Sequence, residues 1–456
     1  MFKKIAALAM VLVMMFTVLS VFTGCNGSEN ETDNKGNVED SVENNTESDK
    51  KDSKAAADLK IGAIMVGDET EGYTKAHMDG IKEAAAALGI ADSQIIWKYK
   101  VEEKSSCLDA ATDLVGAGCS VVVANSYGHQ TFMVQAAEQF PDVTFVSVTG
   151  DFAALTGLDN FKNGFTKVYE SRYVSGVVAG MKLAELIEDG VVTPEALPNS
   201  FDAEGNVKIG YVGAYNYAEV VSGYTAFFLG LRSIVPNVTM EVNYTNSWFD
   251  IDKEAAAAEA LVANGCVIIG QHADSTGAPS ACEKLLADGK VCYSVGYNID
   301  MLETAPNAAL TSPTNTWSEF YKDLFTSAIE GTDFPVDVAK GYAENGVAIT
   351  PLGASCAEGT AEKVAEVEAA LRDGTLHVFD TSTFTVSADQ STCTVETDAE
   401  GHLTSCKVDM SFMDWSTMTA IYQGEVVECI TDGYFTESEF RSAPYFSVRI
   451  DGIIEK

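Results

Sequence analysis

Three short polar clusters, each closing a strand-like apolar run, carry the residues best suited to hold a small polar molecule. They are Thr245-Asn246-Ser247-Trp248-Phe249-Asp250, Gln271-His272-Ala273-Asp274-Ser275-Thr276 and Gly296-Tyr297-Asn298-Ile299-Asp300-Met301. Carboxylates at Asp274 and Asp300 can accept hydrogen bonds from amino or hydroxyl groups without needing a charged ligand. Tyr73, Tyr127, Tyr215, Trp248 and Trp317 each follow an apolar strand or a crossover, where a ring points into a crevice. Stacking a flat ligand on such a ring is worth about 1 to 3 kcal/mol per face. Any one of these rings fits ordinary lobe packing equally well; five at strand ends together describe a site. Catalysis finds little support. His272 beside Asp274 could suggest a base and its orienter, but no nucleophile has the right local context. No GxSxG, GxxxxGKS, HExxH or GxGxxG motif stands at a strand-to-helix junction. His272 therefore reads as a pocket-rim hydrogen-bonder, and neither a cofactor nor a metal is expected.

The elements that must position these residues alternate. Strand-like runs at 59–66, 94–99, 120–124 and 143–148 are separated by helical stretches at 75–88, 105–116 and 130–139. Helices of this length between strands imply right-handed crossovers and a parallel sheet. The pattern restarts at Lys208, with strands at 208–212, 238–244, 266–270 and 291–295. Loops leaving the carboxyl ends of parallel strands converge on one crevice, so the three clusters form one binding wall. A chain of 456 residues exceeds the usual single-domain size. The expected organisation is α/β, with lobe one at 59–167 and 311–380, lobe two at 168–310, and a β-rich C-terminal extension at 381–456.

The amino terminus sets the expected compartment. Lys3 and Lys4 precede an apolar run from Ile5 to Phe22, followed by Thr23-Gly24-Cys25. This is the pattern of a secretory signal, and the cysteine directly after small residues resembles a bacterial lipobox. It implies lipidation and cleavage at Cys25, with an uncleaved membrane anchor as the alternative. Residues 26–58 are polar and should form a disordered tether. The net charge is −38; the signal contributes +2 and the tether −6, which leaves −34 on residues 59–456. Such a surface repels phosphate backbones, so nucleic acid and anionic ligands are both disfavoured without a local basic pocket, and no nucleic-acid partner is expected; neutral or cationic small ligands remain. The ten cysteines form no CxxC pair or metal pattern. Cys393 and Cys406 flank Asp398-Ala399-Glu400-Gly401; a hairpin closed there would set them opposite each other, either as a disulfide or as two reduced thiols.

Several segments, in order, resemble the basic membrane protein (BMP) family of ABC-transporter substrate-binding lipoproteins, which includes purine nucleoside receptors. Ala124-Asn125-Ser126-Tyr127-Gly128 is similar to the family's ATSFG, and Tyr169-Glu170-Ser171-Arg172-Tyr173-Val174-Ser175-Gly176 to YxxRYLxG. Thr245 to Asp250 resembles TNSWYD, Gln271 to Ser275 resembles QHTDS, and Leu310-Thr311-Ser312-Pro313 followed by Trp317 resembles LTSPVxNW. The resemblance covers roughly residues 59–380. It implies a type I periplasmic-binding-protein fold of two doubly wound α/β lobes and a purine nucleobase or nucleoside in the cleft. It further implies an ABC permease as partner and a lipid anchor on the extracytoplasmic face of the cell membrane. Carried over residue by residue, the family's cleft aromatics become Tyr73, Tyr127 and Tyr215. The lysine that helps hold the ribose in nucleoside receptors is replaced by Asn315, which keeps a free base and a nucleoside both open. Two other readings accompany this one: a ligand-binding sensor whose extension docks a signalling partner, and transport of a sugar or other small polar solute, since fold alone does not choose the ligand.

Overall fold

The computed structural model describes residues 56–456 except 389, 391, 392, 415 and 416; the signal segment, Cys25 and the tether lie outside the described residues. Strands β1 (Ile61–Ile64), β2 (Ile95–Lys98), β3 (Val121–Ala124), β4 (Thr144–Val148) and β5 (Phe161–Thr166) alternate with helices Gly72–Ala87, Ser106–Gly116 and Gln130–Gln139. A second series follows with β6 (Val207–Gly213), β7 (Val238–Tyr244), β8 (Ile268–Gln271), β9 (Tyr293–Val295) and β10 (Ala309–Thr311). Then come β11 (Pro313–Asn315), β12 (Asp337–Lys340) and β13 (Val347–Ile349). The first sheet runs β12-β5-β4-β3-β1-β2 and is parallel throughout. Every residue of β1 and β3 is buried, as strands covered by helices on both faces must be.

The second sheet runs β10-β9-β8-β6-β7 and gains a sixth, parallel strand from the chain's end, Ile453–Glu455, paired on β7. Three segments cross between the lobes: β5 into helix Val168–Glu188, β10 through β11 into helix Trp317–Glu330, and β12 into β13. Antiparallel pairing of β11 with β13 ties two of the crossings together.

The region after 310 divides differently from the sequence expectation, which assigned 311–380 to lobe one. Helix Trp317–Glu330 buries Trp317, Phe320, Tyr321 and Phe325 in the lobe-one core, and β12 edges the first sheet. Helix Thr360–Arg372 instead places Val364, Val367 and Leu371 in the lobe-two core, beside Val174 and Leu183. The apolar spacing identified the helix but carried no record of which lobe it would cover.

The extension, likewise, is more than an appendage, because its last strand belongs to lobe two. Glu455 Oε1 accepts from the hydroxyls of Tyr224 at 2.5 Å and Tyr244 at 2.6 Å, and Lys456 pairs with Glu241 at 2.5 Å. Its hairpin turns at Asp398–His402 with Gly401 at φ +94° and a bulge after Glu396, so Cys406 faces Val395. Cys393 lies diagonal to that pair, its side chain in hydrogen-bonding contact with the Cys406 thiol.

Helix Val168–Glu188 leads out of the first crossing and packs on helix Ala218–Arg232 at backbone contact distance. A methyl group added at Gly230 would lie 2.0 Å from the Tyr173 carbonyl oxygen. Helix propensity alone would make Gly230→Ala stabilising by about 1 kcal/mol, but overpacking of this kind costs about 1 to 3 kcal/mol. We expect Gly230→Ala to lower the urea midpoint, while Gly116→Ala, at a helix position open within 4 Å, leaves it unchanged or raises it.

Candidate functional site

The loops at the carboxyl ends of β1 and β3 face those of β6, β7, β8 and β9, and the lobes touch there. A methyl group added at Gly72 of lobe one would sit 3.3 Å from the Asp274 carbonyl oxygen and 3.5 Å from Ile299 of lobe two. Tyr73 donates its hydroxyl to the Asn125 carbonyl at 2.5 Å and presents its ring edge-on to His77. Tyr127 is 43% exposed and donates to Asp151 Oδ2 at 3.2 Å. Its loop is held by Glu103 Oε1, which accepts from the Ser126 hydroxyl at 2.6 Å and the Gly128 amide at 2.9 Å.

On lobe two, Tyr215 stacks on Tyr217 with centroids 5.4 Å apart and packs against Trp248 at 5.2 Å. Trp248 in turn lies 6.1 Å from the ring of His272. Beneath this aromatic face runs a buried polar chain. Asn298 Nδ2 donates to Asp274 Oδ1 at 2.6 Å, Asn315 Nδ2 donates to Asn298 Oδ1 at 3.1 Å, and the Thr166 hydroxyl donates to Asn315 Oδ1. Asn298 adopts φ +62°, a left-handed conformation that asparagine tolerates better than most residues.

Arg172 anchors the wall from behind. It is 1% exposed, its Nη1 donates to the Tyr211 hydroxyl and the Gln271 carbonyl, both at 2.6 Å, and its guanidinium lies 3.8 Å from the centroid of the Tyr297 ring. Burial pushes the Asp274 carboxyl well above the usual carboxylate range; Glu71, Glu254 and Glu219 add to the effect and Arg172 opposes it. The neutral form so favoured can donate one hydrogen bond while its other oxygen accepts. Burial also holds the His272 imidazole down at about 4, with Arg172 adding to that and Glu219 opposing. His272 Nε2 faces Glu219 Oε1 at 3.3 Å rather than Asp274. Among the described residues no group of three or more His, Cys, Asp or Glu side chains is placed to hold a metal.

Of the residues singled out from sequence, the structure gathers Tyr73, Tyr127, Tyr215, Trp248, Asp274 and Asn315 around the interlobe face. Trp317 is not a wall residue: it is buried in lobe one, stacked on His77 at 4.2 Å. Asp300 is exposed and caps a turn, accepting from the Leu302 amide at 2.8 Å. Arg172, Glu219, Tyr217, Tyr297 and Asn298 were not anticipated as site residues, although Tyr297 and Asn298 stand in the same loop as Asp300. A separate cavity of about 510 Å³ lies between the first crossing and the extension, lined by Lys167, Glu170, Arg372, His377 and Glu437 among others. It contains none of the cleft residues, and we do not assign it to the site.

Residues 60–351 match the family described as ABC transporter substrate-binding protein PnrA-like (Bmp). The chain belongs to the Bmp family. It is similar to a purine-binding protein of Brucella abortus, 30% identical over 322 residues, which cover 70% of this chain and 83% of that protein. It also resembles a putative ABC transporter glucose-binding protein of Haloferax volcanii, 31% identical over 271 residues, covering 59% of this chain and 61% of that one. An ABC transporter solute-binding protein structure from Aeropyrum pernix superposes with a TM-score of 0.56 at 13% identity, covering 73% of this chain and 94% of that chain. The fold of this Bmp-family member is thus the type I periplasmic-binding-protein fold, with added antiparallel β-structure at its end. Family and fold are those of solute-binding proteins, which serve ABC importers outside the cytoplasm.

Because His272 is neutral when folded but titrates near 6.5 when unfolded, its contribution is complete above pH 6.5 and is lost as pH falls toward about 4. Replacing His272 by Gln should reduce the fall in unfolding free energy between pH 6.5 and 5 by about 1 kcal/mol per pH unit. Equal slopes in urea titrations of the two proteins would contradict the neutral imidazole.

Proposed function

We propose that this protein captures a purine nucleobase or nucleoside between its lobes and hands it to an ABC permease. The observation that carries the reading is the similarity to the Brucella purine-binding protein across most of that protein's length. The cleft chemistry agrees with it. Tyr215, Tyr217 and Trp248 offer ring faces on one lobe, and Tyr73 and Tyr127 stand on the other. Asp274 and Asn298 supply adjacent buried donors and acceptors suited to the edge of a base. The amide of Asn315 is taken up by Asn298 and Thr166, so its role is to hold Asn298 rather than to grip a ribose. On this reading the mature chain is anchored through lipidated Cys25 and works at the outer face of the cell membrane, with lobes close to 59–167 and 168–310. The similarity to the Haloferax protein favours a second reading, in which the same cleft takes a sugar.

A thermal-shift panel of nucleobases, nucleosides and sugars on the full chain separates the two. Ligand at 100 times its dissociation constant adds about 2.7 kcal/mol, which should raise the melting temperature by at least ~2 °C. Shifts with purines alone support the proposal; shifts with sugars alone overturn it. Asp274→Ala should weaken purine binding by more than about fivefold, the factor for one ordinary hydrogen bond, whereas Asp300→Ala should leave it unchanged.

A further inference from the structure

The C-terminal extension touches both lobes. On lobe two it supplies the edge strand Ile453–Glu455, with Ile453 opposite Met240 and Glu455 opposite Val242. Glu455 is held there by two tyrosine hydroxyls and by Arg449 at 3.2 Å. On lobe one, Arg441 Nη1 lies 3.7 Å from Asp151 Oδ2, with the two side chains only 17% and 12% exposed. The neighbouring Ser442 amide donates to Asp337 Oδ2 at 3.0 Å. Tyr422 of the extension also stacks on Phe152 of lobe one, centroids 4.9 Å apart and planes 17° from parallel. Between the two anchorages, Ala443 is buried with Phe165 of lobe one, Val168 of the first crossing and Tyr297 of lobe two.

These contacts have a mechanical consequence. The lobes can separate only by rotation about the crossings, and a segment fixed to both must then release one of them. The lobe-two anchorage is a strand in a sheet, with a backbone ladder and buried side-chain bonds. The lobe-one anchorage rests on one ion pair, one amide and the packing of Phe412 and Tyr422 on Phe152, with no backbone ladder among the described residues, so it is the one to yield. The carboxylate oxygen that faces Arg441 is also the one that accepts from the Tyr127 hydroxyl at the cleft.

We propose that the extension is an interlobe strap: anchored in the lobe-two sheet, it latches lobe one by pairing Arg441 with Asp151 and the Ser442 amide with Asp337, and Arg441 thereby positions Tyr127 at the cleft. The strap acts on the lobes whatever solute they enclose, so it does not rest on the purine assignment.

Solution X-ray scattering of the full chain without added solute tests it, using wild type, Arg441→Glu, and the reversed pair Asp151→Arg with Arg441→Glu. Hydrogen exchange is followed in the same samples. The strap predicts a larger radius of gyration for Arg441→Glu, and roughly fivefold or greater acceleration of exchange around Tyr127, as expected for loss of one partly buried ion pair. Amides of residues 453–455 should stay protected, and the reversed pair should restore the wild-type dimensions. Unchanged scattering in Arg441→Glu would overturn the proposal. So would an expansion that the reversed pair does not restore, or one accompanied by loss of protection at 453–455, since either would mean that the fold had failed rather than that a latch had opened. The milder Arg441→Gln should show the same changes at smaller amplitude with the 453–455 strand intact; wild-type exchange around Tyr127 in that variant would equally overturn the proposal.

Discussion

The Arg172 guanidinium, buried against the Tyr297 ring and bonded to the Gln271 carbonyl, joins the helix that begins at the first crossing to the carboxyl ends of three strands. A buried cation is costly unless its surroundings compensate it. Here Nη1 is compensated by a tyrosine hydroxyl and a backbone carbonyl and the cation by an aromatic face, while Nε and Nη2 are buried without a protein partner among the described residues. Two of those partners, Gln271 and Tyr297, lie at the interlobe face. The contacts of Arg172 with the Gln271 carbonyl and the Tyr297 ring hold the loop after β8 and the loop after β9 in fixed relation, and Asp274 and Asn298 lie side by side there. The close packing of helices Val168–Glu188 and Ala218–Arg232 brings Arg172 and Glu219 to opposite sides of His272.

Much of this arrangement was legible in the sequence, for identifiable reasons. Continuous apolar runs such as Val121–Ala124 read as buried strands and polar clusters directly after them as loops at strand ends, so the placement of 245–250 and 271–276 at the ends of β7 and β8 follows from the sequence. In the third loop the residue singled out from sequence, Asp300, faces solvent, and the buried polar chain is made by Asn298 instead. Whether Asn298 or Asp300 points inward depends on the left-handed turn at Asn298, and residue type permits such a turn without requiring it. Trp317 was misread because the first residue of a helix can face either solvent or core, and its neighbours Phe320, Tyr321 and Phe325 draw that face inward. Arg172 was missed as a site residue because a lone cation in a helix usually marks a solvated face.

The parts least legible were those set by long-range assembly. Nothing local distinguishes a helix that covers lobe one from one that covers lobe two, and the stripe Val364, Val367 and Leu371 fits either surface. In the same way, Ile453–Glu455 reads as a short β-prone end, while its place at the edge of the lobe-two sheet depends on β7 being open on that side. The expected pairing of Cys393 with Cys406 failed on register: the turn position and the bulge after Glu396 together set Cys406 opposite Val395, two residues from Cys393, and both cysteines are thiols. Fold class thus followed from periodicity, whereas the lobe assignments and the reach of the extension followed from packing.

That the ligand is enclosed at the meeting of the two lobes is the central claim, and hydrogen exchange with and without the best-binding solute tests it most directly. Enclosure predicts new protection at 124–128, 245–248, 271–275 and 296–300, with little change elsewhere. Protection confined instead to 371–379 and 434–439, around the cavity beside the first crossing, would contradict the account and move the binding site out of the cleft.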